Sequence, residues 1–283
     1  QEEYFSLALS HDERYLAAGT NNGDILLWDL KTRDPQPVIH HGHTFLVTHL
    51  CFNPVTGELA SSSADGSVRL WNPSKENDPG TIIDKNIHRM TVTCFSPDGN
   101  VLSWANEKGE IKAMNLKSMM VSPFVIQASG MAVYALAFSE DGNILVSGDA
   151  SGTIRLWEAD RSYHSTVSLI GHLSRISDLV FSPDGQILGS SSYDGTIRLW
   201  NFRSPEEPPI VMDDYDFWIT CMAFSPDAQQ LVSAAEDGTL KLWRLSDQTV
   251  LWSRPTEHTG DVTSASLPPD RRPGTRRAAP GTR

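Results

Sequence analysis

Short β-branched and aromatic runs recur along the chain, as in Val68-Arg69-Leu70-Trp71, Ile154-Arg155-Leu156-Trp157 and Ile197-Arg198-Leu199-Trp200. Each follows directly on Asp-Gly or a relative of it, so each reads as a strand entered from a tight turn. Upstream of these runs lies a second strand, such as Leu59-Ala60-Ser61-Ser62-Ser63 or Leu231-Val232-Ser233-Ala234-Ala235. Ser-Pro-Asp-Gly turns at 96–99 and 182–185 close a hairpin from a third strand that ends on a phenylalanine. A weaker apolar stretch after the tryptophan, such as 166–170, makes a fourth. No 3.6-residue period is sustained, so helix is expected to be minor. The predicted unit is a four-stranded antiparallel meander.

That unit repeats. Trp28, Trp71, Trp157, Trp200 and Trp243 are spaced 43, 86, 43 and 43 apart, with Met114 on the missing beat. Phe52, Phe95, Phe138, Phe181 and Phe224 form a second column at intervals of 43, with Leu9 before it and Leu267 after. Gly23, Gly66, Gly109, Gly152, Gly195 and Gly238 form a third. Small twisted sheets of this kind cannot bury both faces alone, and radial stacking about an axis covers them. The expected fold is therefore all-β: a β-propeller of six complete four-stranded blades plus one extra strand.

The framing of each unit, from a His through Ser-Pro-Asp-Gly and Asp-Gly-Thr-Ile-Arg-Leu-Trp, resembles WD40 repeats, over residues 1 to about 267. The resemblance implies a hydrogen-bonded tetrad in each blade, joining a turn Asp, a loop His, a strand Ser/Thr and the Trp. The chemistry is economical, because a buried indole N–H, a hydroxyl and an imidazole are all satisfied by a chain ending on a carboxylate. By position the second unit offers His43, Ser61 or Ser63, Asp65 and Trp71. The fifth offers His172, Ser190 or Ser192, Asp194 and Trp200. The sixth has Tyr215 in place of the His, with Asp237 and Trp243, and the fourth has Ser129, Ser151 and Trp157. The third has Asn86, Lys108 and Met114, so its blade is expected to be the least rigid, held by packing alone.

Composition narrows the function. The chain of 283 residues is 39% hydrophobic and 20% charged, an ordinary globular balance with ample core material. Net charge is −12, and five of the 23 basic residues lie from Pro268 onward with one Asp, which leaves residues 1–267 at −16. Such a body repels phosphate backbones, so no nucleic-acid partner is expected. No apolar run approaches the roughly 20 residues of a membrane helix, and no membrane partner is expected. No signal peptide is read at Gln1-Glu2-Glu3, and the absence of an initiator Met is consistent with a piece of a longer protein. Three cysteines without a CxxC pair fit a reducing, cytoplasmic compartment.

Ser, His and Asp together can suggest a hydrolase, but here the trio recurs at structural positions and ends on a buried Trp, and no Gly-x-Ser-x-Gly elbow exists. His40, His41, His43 and His49 cluster without a cysteine or carboxylate at ligand spacing, so they read as loop and tetrad histidines rather than a metal site. Cys51 and Cys94 share a column with Ala8, Ala137, Val180 and Ala223, a small-residue column suited to a narrow axis. No cofactor is expected.

The informative column lies three residues after the tetrad His: Glu3, Leu46, Arg89, Ala132, Arg175, Trp218, Asp261. The resemblance implies that these residues ring the channel mouth and contact a partner. Trp218 and Phe217 stand out, because large aromatics and Arg dominate interface energetics, although packing between blades is the plain alternative. Asp213, Asp214 and Asp216, with Glu206 and Glu207, form an acidic stretch that either steers a basic partner or is a solvated loop.

At the end, 261–267 fits a seventh first strand, after which 268–283 holds no Val, Ile, Leu or aromatic residue and reads as a disordered, basic Pro/Arg-rich tail. The tail is either genuine or the product of a truncation or frame error. An incomplete ring would leave apolar faces on the first and sixth sheets, with self-association as a consequence. The leading functional expectation is a non-catalytic protein–protein interaction scaffold or sensor, resembling the arrays C-terminal to bacterial signalling ATPases or kinases. The alternatives are a stand-alone assembly subunit and an enzyme with a site in the axial channel.

Overall fold

Each 43-residue unit folds into one four-stranded sheet whose strands pair in chain order. A computed structural model of the chain describes residues 3–75, 78–118, 121–159, 163–213 and 215–255. Blades 1 to 6 occupy 4–40, 47–85, 90–127, 133–169, 176–213 and 219–255, and Leu116–Ser118 forms a short helical turn. The predicted extra strand at 261–267 and the tail at 268–283 lie outside the described residues.

The Phe and Trp columns meet in one cross-strand row in each blade, joined through a Leu of the second strand. In blade 5 Phe181 lies opposite Leu188, and Leu188 opposite Trp200. The rows Phe52–Leu59–Trp71 and Phe224–Leu231–Trp243 repeat it, and Phe95–Leu102–Met114 carries it through blade 3. The turn after each first strand is set locally. In blades 1, 3, 4, 5 and 6 a serine hydroxyl (Ser10, Ser96, Ser139, Ser182, Ser225) donates to the Asp two residues on. The same oxygen accepts the backbone N–H five residues on. This side-chain staple is what Ser-x-Asp-Gly encodes.

The first strands of the blades are the innermost: Tyr4–Leu9, Val47–Phe52, Met90–Phe95, Val133–Phe138, Ile176–Phe181 and Ile219–Phe224. One cavity of about 310 Å³ is lined by side chains from all six, which makes the assembly a six-bladed β-propeller around an axial channel. Close packing between blades is set by small residues on the second strands. A Cβ added at Gly148 would lie 2.5 Å from the Ile176 side chain of the next blade, and one at Gly19 2.5 Å from Val47.

The apolar core of the described residues divides into five clusters, each shared by two consecutive blades. The inner strands touch in sequence from blade 1 to blade 6, and no comparable contact joins blade 6 to blade 1 among the described residues. The consequence is visible at Tyr4, which is 49% exposed where its counterparts Val47, Val133, Ile176 and Ile219 are 0%. Leu7 and Leu9 are exposed as well, and across the seam Leu240 and Leu242 are half-buried where Ile25, Ile154 and Leu199 are buried.

Candidate functional site

Two tetrads form completely. In blade 2 the Trp71 indole donates to Ser61 Oγ (2.7 Å), Ser61 meets His43 Nε2 (2.6 Å), and His43 Nδ1 meets Asp65 Oδ2 (3.1 Å). An indole N–H only donates, so the direction propagates: Ser61 donates to Nε2, and Nδ1–H donates to the carboxylate. In blade 5 the same chain runs Trp200, Ser190, His172, Asp194 at 2.8, 2.7 and 2.9 Å. The hydroxyls are thus Ser61 and Ser190; Ser63 and Ser192 instead donate to the carbonyls of Phe45 and Ser174. Burial alone would raise Asp65, but bonds from His43, Ser67 and the Thr44 N–H outweigh it and hold the carboxyl well below the usual range. Asp194 behaves alike, with His172, the Leu173 N–H and Thr196 as its donors.

The other blades depart from the pattern. In blade 6 Trp243 and Tyr215 both bond Ser233 Oγ (2.7 and 2.8 Å), while Asp237 is exposed and bonds Thr239 instead of joining the relay. A phenol reaches the hydroxyl but does not extend it to the turn carboxylate as an imidazole does. In blade 4 the Trp157 partner is Ser147 at 3.0 Å, whereas Ser129 bonds the Met131 carbonyl and Ser151 bonds Asp149. Blade 3 has a polar network of its own: the Trp104 indole and Lys112 Nζ both donate to Asp84 Oδ2, each at 2.8 Å. Trp104 stands at the position of Ser61, Ser147, Ser190 and Ser233 in blades 2, 4, 5 and 6, and its network crosses to the outer strand of blade 2.

The four clustered histidines go to different surroundings. His41 bonds Asp24, His43 joins the tetrad, His40 lies edge-on to Trp71, and His49 faces the channel. Within the channel burial lowers His49 to about 4, so it is a neutral imidazole. Asp178 lies deep in the same cavity; burial raises it to about 6, partly offset by bonds from the Met222 and Leu179 N–H groups. Burial also pushes Cys51 and Cys221 to about 12 and Cys94 well up, which removes these thiols as nucleophiles.

The channel mouth is where chemistry varies. Each rim residue is anchored by its own carbonyl, which accepts an N–H from the turn between the second and third strands: Ala64 to Leu46, Glu107 to Arg89, Ala150 to Ala132, Tyr193 to Arg175, Glu236 to Trp218. Position is therefore fixed by backbone, leaving the side chains to differ. Leu46 is half-buried, Arg89 and Glu3 are exposed, and Asp261 lies outside the described residues, as does Asp214. The Arg175 guanidinium lies over two rings, 3.5 Å from the Tyr134 centroid and 4.7 Å from that of Tyr193. Tyr193 in turn stacks on Trp218 at 4.7 Å and 7°. Four side chains from three blades thus make one continuous stack beside the channel.

Around the stack runs a ring of outward-facing apolar residues, Phe45, Ile87, Met131, Leu173 and Phe217 with Trp218, the least exposed of them 48% open. Sequence reasoning singled out Phe217 and Trp218 and missed the rest, along with Tyr193 and Tyr134. The signal was present: Phe45, Met131 and Phe217 share one column two residues after the tetrad position, and Ile87 and Leu173 share the column before it. Each chain position is unremarkable alone, since single exposed apolar residues are common.

A family model described as the IFT122 first beta-propeller matches residues 1–244. No curated protein matches the chain.

Proposed function

The chain belongs to the family of the IFT122 first beta-propeller, and from that premise we propose that it is a non-catalytic scaffold or sensor module that presents its channel mouth to a protein or peptide partner. The observation that carries this reading is the apolar ring: one face of the propeller displays Phe45, Ile87, Met131, Leu173, Phe217 and Trp218 together. Several large apolar side chains exposed at one end of a domain mark an interaction site, and aromatic residues beside an Arg are the composition of interface hot spots. The opposite end of the sheets is built from the Ser-x-Asp turns, which repeat from blade to blade. Against thiol chemistry in the channel stand Cys51 and Cys221, which burial keeps protonated. No helix among the described residues is long and apolar enough to cross a membrane. The three cysteines are free, in keeping with a cytoplasmic setting.

The test is site-specific photocrosslinking in cells that express the protein. A photoreactive residue at Phe217 or Leu173 is expected to capture a discrete partner, while the same residue at Asp141 on the opposite face captures none. Equal labelling from both faces, or none from the mouth, would remove the proposal.

A further inference from the structure

The Arg175 guanidinium lies over the rings of both Tyr134 and Tyr193, yet no hydrogen bond or ion pair engages it among the described residues, and its Nε is buried without a partner. A guanidinium carries five N–H donors in a rigid plane, and stacking constrains the plane without satisfying any of them. The nearest candidate for neutralisation, Asp178, lines the same cavity but spends its oxygens on the Leu179 and Met222 N–H groups and forms no ion pair with Arg175. The protein otherwise carries a large excess of carboxylates, so a cation left unpaired beside the channel and the exposed apolar rim residues is a site prepared for an anion from outside.

We infer that Arg175 anchors a single carboxylate, an Asp or Glu side chain set among apolar residues in a segment of the partner, with Leu173, Phe217 and Trp218 taking its neighbours. This rests on the channel mouth being the docking face. The charges around Arg175 select a monoanion: Asp178 in the same cavity and Glu3 and Asp216 at the rim oppose a phosphate dianion. The acidic body likewise disfavours a run of acidic residues, because repulsion acts on every charge whereas the gain is confined to the one that reaches Arg175. Contact with Tyr134 and Tyr193 holds the guanidinium in place in advance, which lowers the ordering cost at binding.

The experiment is selection from a random-peptide display library against the whole chain, followed by fluorescence anisotropy on the enriched peptides. Enriched sequences are expected to carry one Asp or Glu flanked by apolar residues. Replacing that Glu by Gln in the peptide is expected to weaken binding about tenfold or more, and Arg175→Gln to weaken the parent peptide equally while adding nothing against the Gln peptide. Arg175→Lys is expected to restore only part of the loss, since it keeps charge but not the planar fork. The peptide-side change leaves the protein untouched, so it decides the matter even where an Arg175 variant folds poorly. Enrichment of Lys- or Arg-bearing peptides, tighter binding of phosphoserine than of Glu, or indifference to Glu→Gln would overturn the anchor. If such peptides still lose affinity on Leu173→Ser with Phe217→Ser, the docking face stands and only the anchor falls. If no peptide is enriched, or binding ignores that double change, both fall.

Discussion

At Asp194 a single carboxylate terminates a chain of three hydrogen bonds that starts at the buried Trp200 indole. Removing it strands donors in low dielectric, so Asp194→Ala is expected to cost about 2–4 kcal/mol in urea unfolding. Because the folded carboxyls of Asp65 and Asp194 lie below their unfolded values, their contribution is complete above the ordinary carboxylate range. It is lost as pH falls from about 4 downward. Asp178 has the opposite sign. Its carboxyl is raised to about 6 by burial, so the native state loses stability as pH rises from the unfolded value through about 6. Asp178→Asn, whose carbonyl still accepts one of the two N–H bonds, is expected to raise Tm at pH 7.5 and to leave it nearly unchanged at pH 4. A Tm difference from wild type that is the same at both pH values would show that the carboxylate is not desolvated.

Among the elements, blade 3 is the instructive one. Its repeat lacks the His, the turn Asp and the Trp, which predicts a sheet held by packing alone. The structure instead gives it a cross-blade network, because Trp104 fills the hydroxyl position and turns its N–H outward to Asp84, where Lys112 balances the charge. Lys112→Met is therefore expected to destabilise the fold by roughly 1–3 kcal/mol, leaving Asp84 partly buried without its cation. Differential scanning fluorimetry of this variant beside Lys108→Met, whose residue shows no side-chain bond in the structure, separates the two accounts. The network was illegible in the sequence because Asp84 belongs to the preceding repeat and lies 28 residues from Lys112.

Over the whole molecule, five inter-blade cores join six sheets, and the two faces at the seam between blades 6 and 1 lack a matching core among the described residues. Covered blades gain about 1.5–3 kcal/mol for each large apolar side chain buried, a gain that Tyr4, Leu7 and Leu9 forgo in large part. Opening should begin there. Hydrogen exchange measured by mass spectrometry is expected to show the amides of Tyr4–Leu9 exchanging well before those of Val133–Phe138, although both strands have the same pairing. Uniform protection of the two strands would mean that the seam is as firmly covered as the other interfaces.

The order of strands, the Phe–Leu–Trp row and the Ser-x-Asp-Gly turns were decided by the sequence alone, because each depends on short-range chemistry repeated at one spacing. So were the two complete tetrads, up to the choice between Ser61 and Ser63 and between Ser190 and Ser192. That choice belongs to the pleat, which sends alternate side chains toward the Trp or toward the loop carbonyl. Only the tertiary structure brought Arg175 between Tyr134 and Tyr193 and gathered Phe45, Ile87, Met131, Leu173 and Phe217 onto one face. These residues come from different blades, and their meeting depends on how sheets fan about an axis, a relation between units that no pattern within one repeat contains.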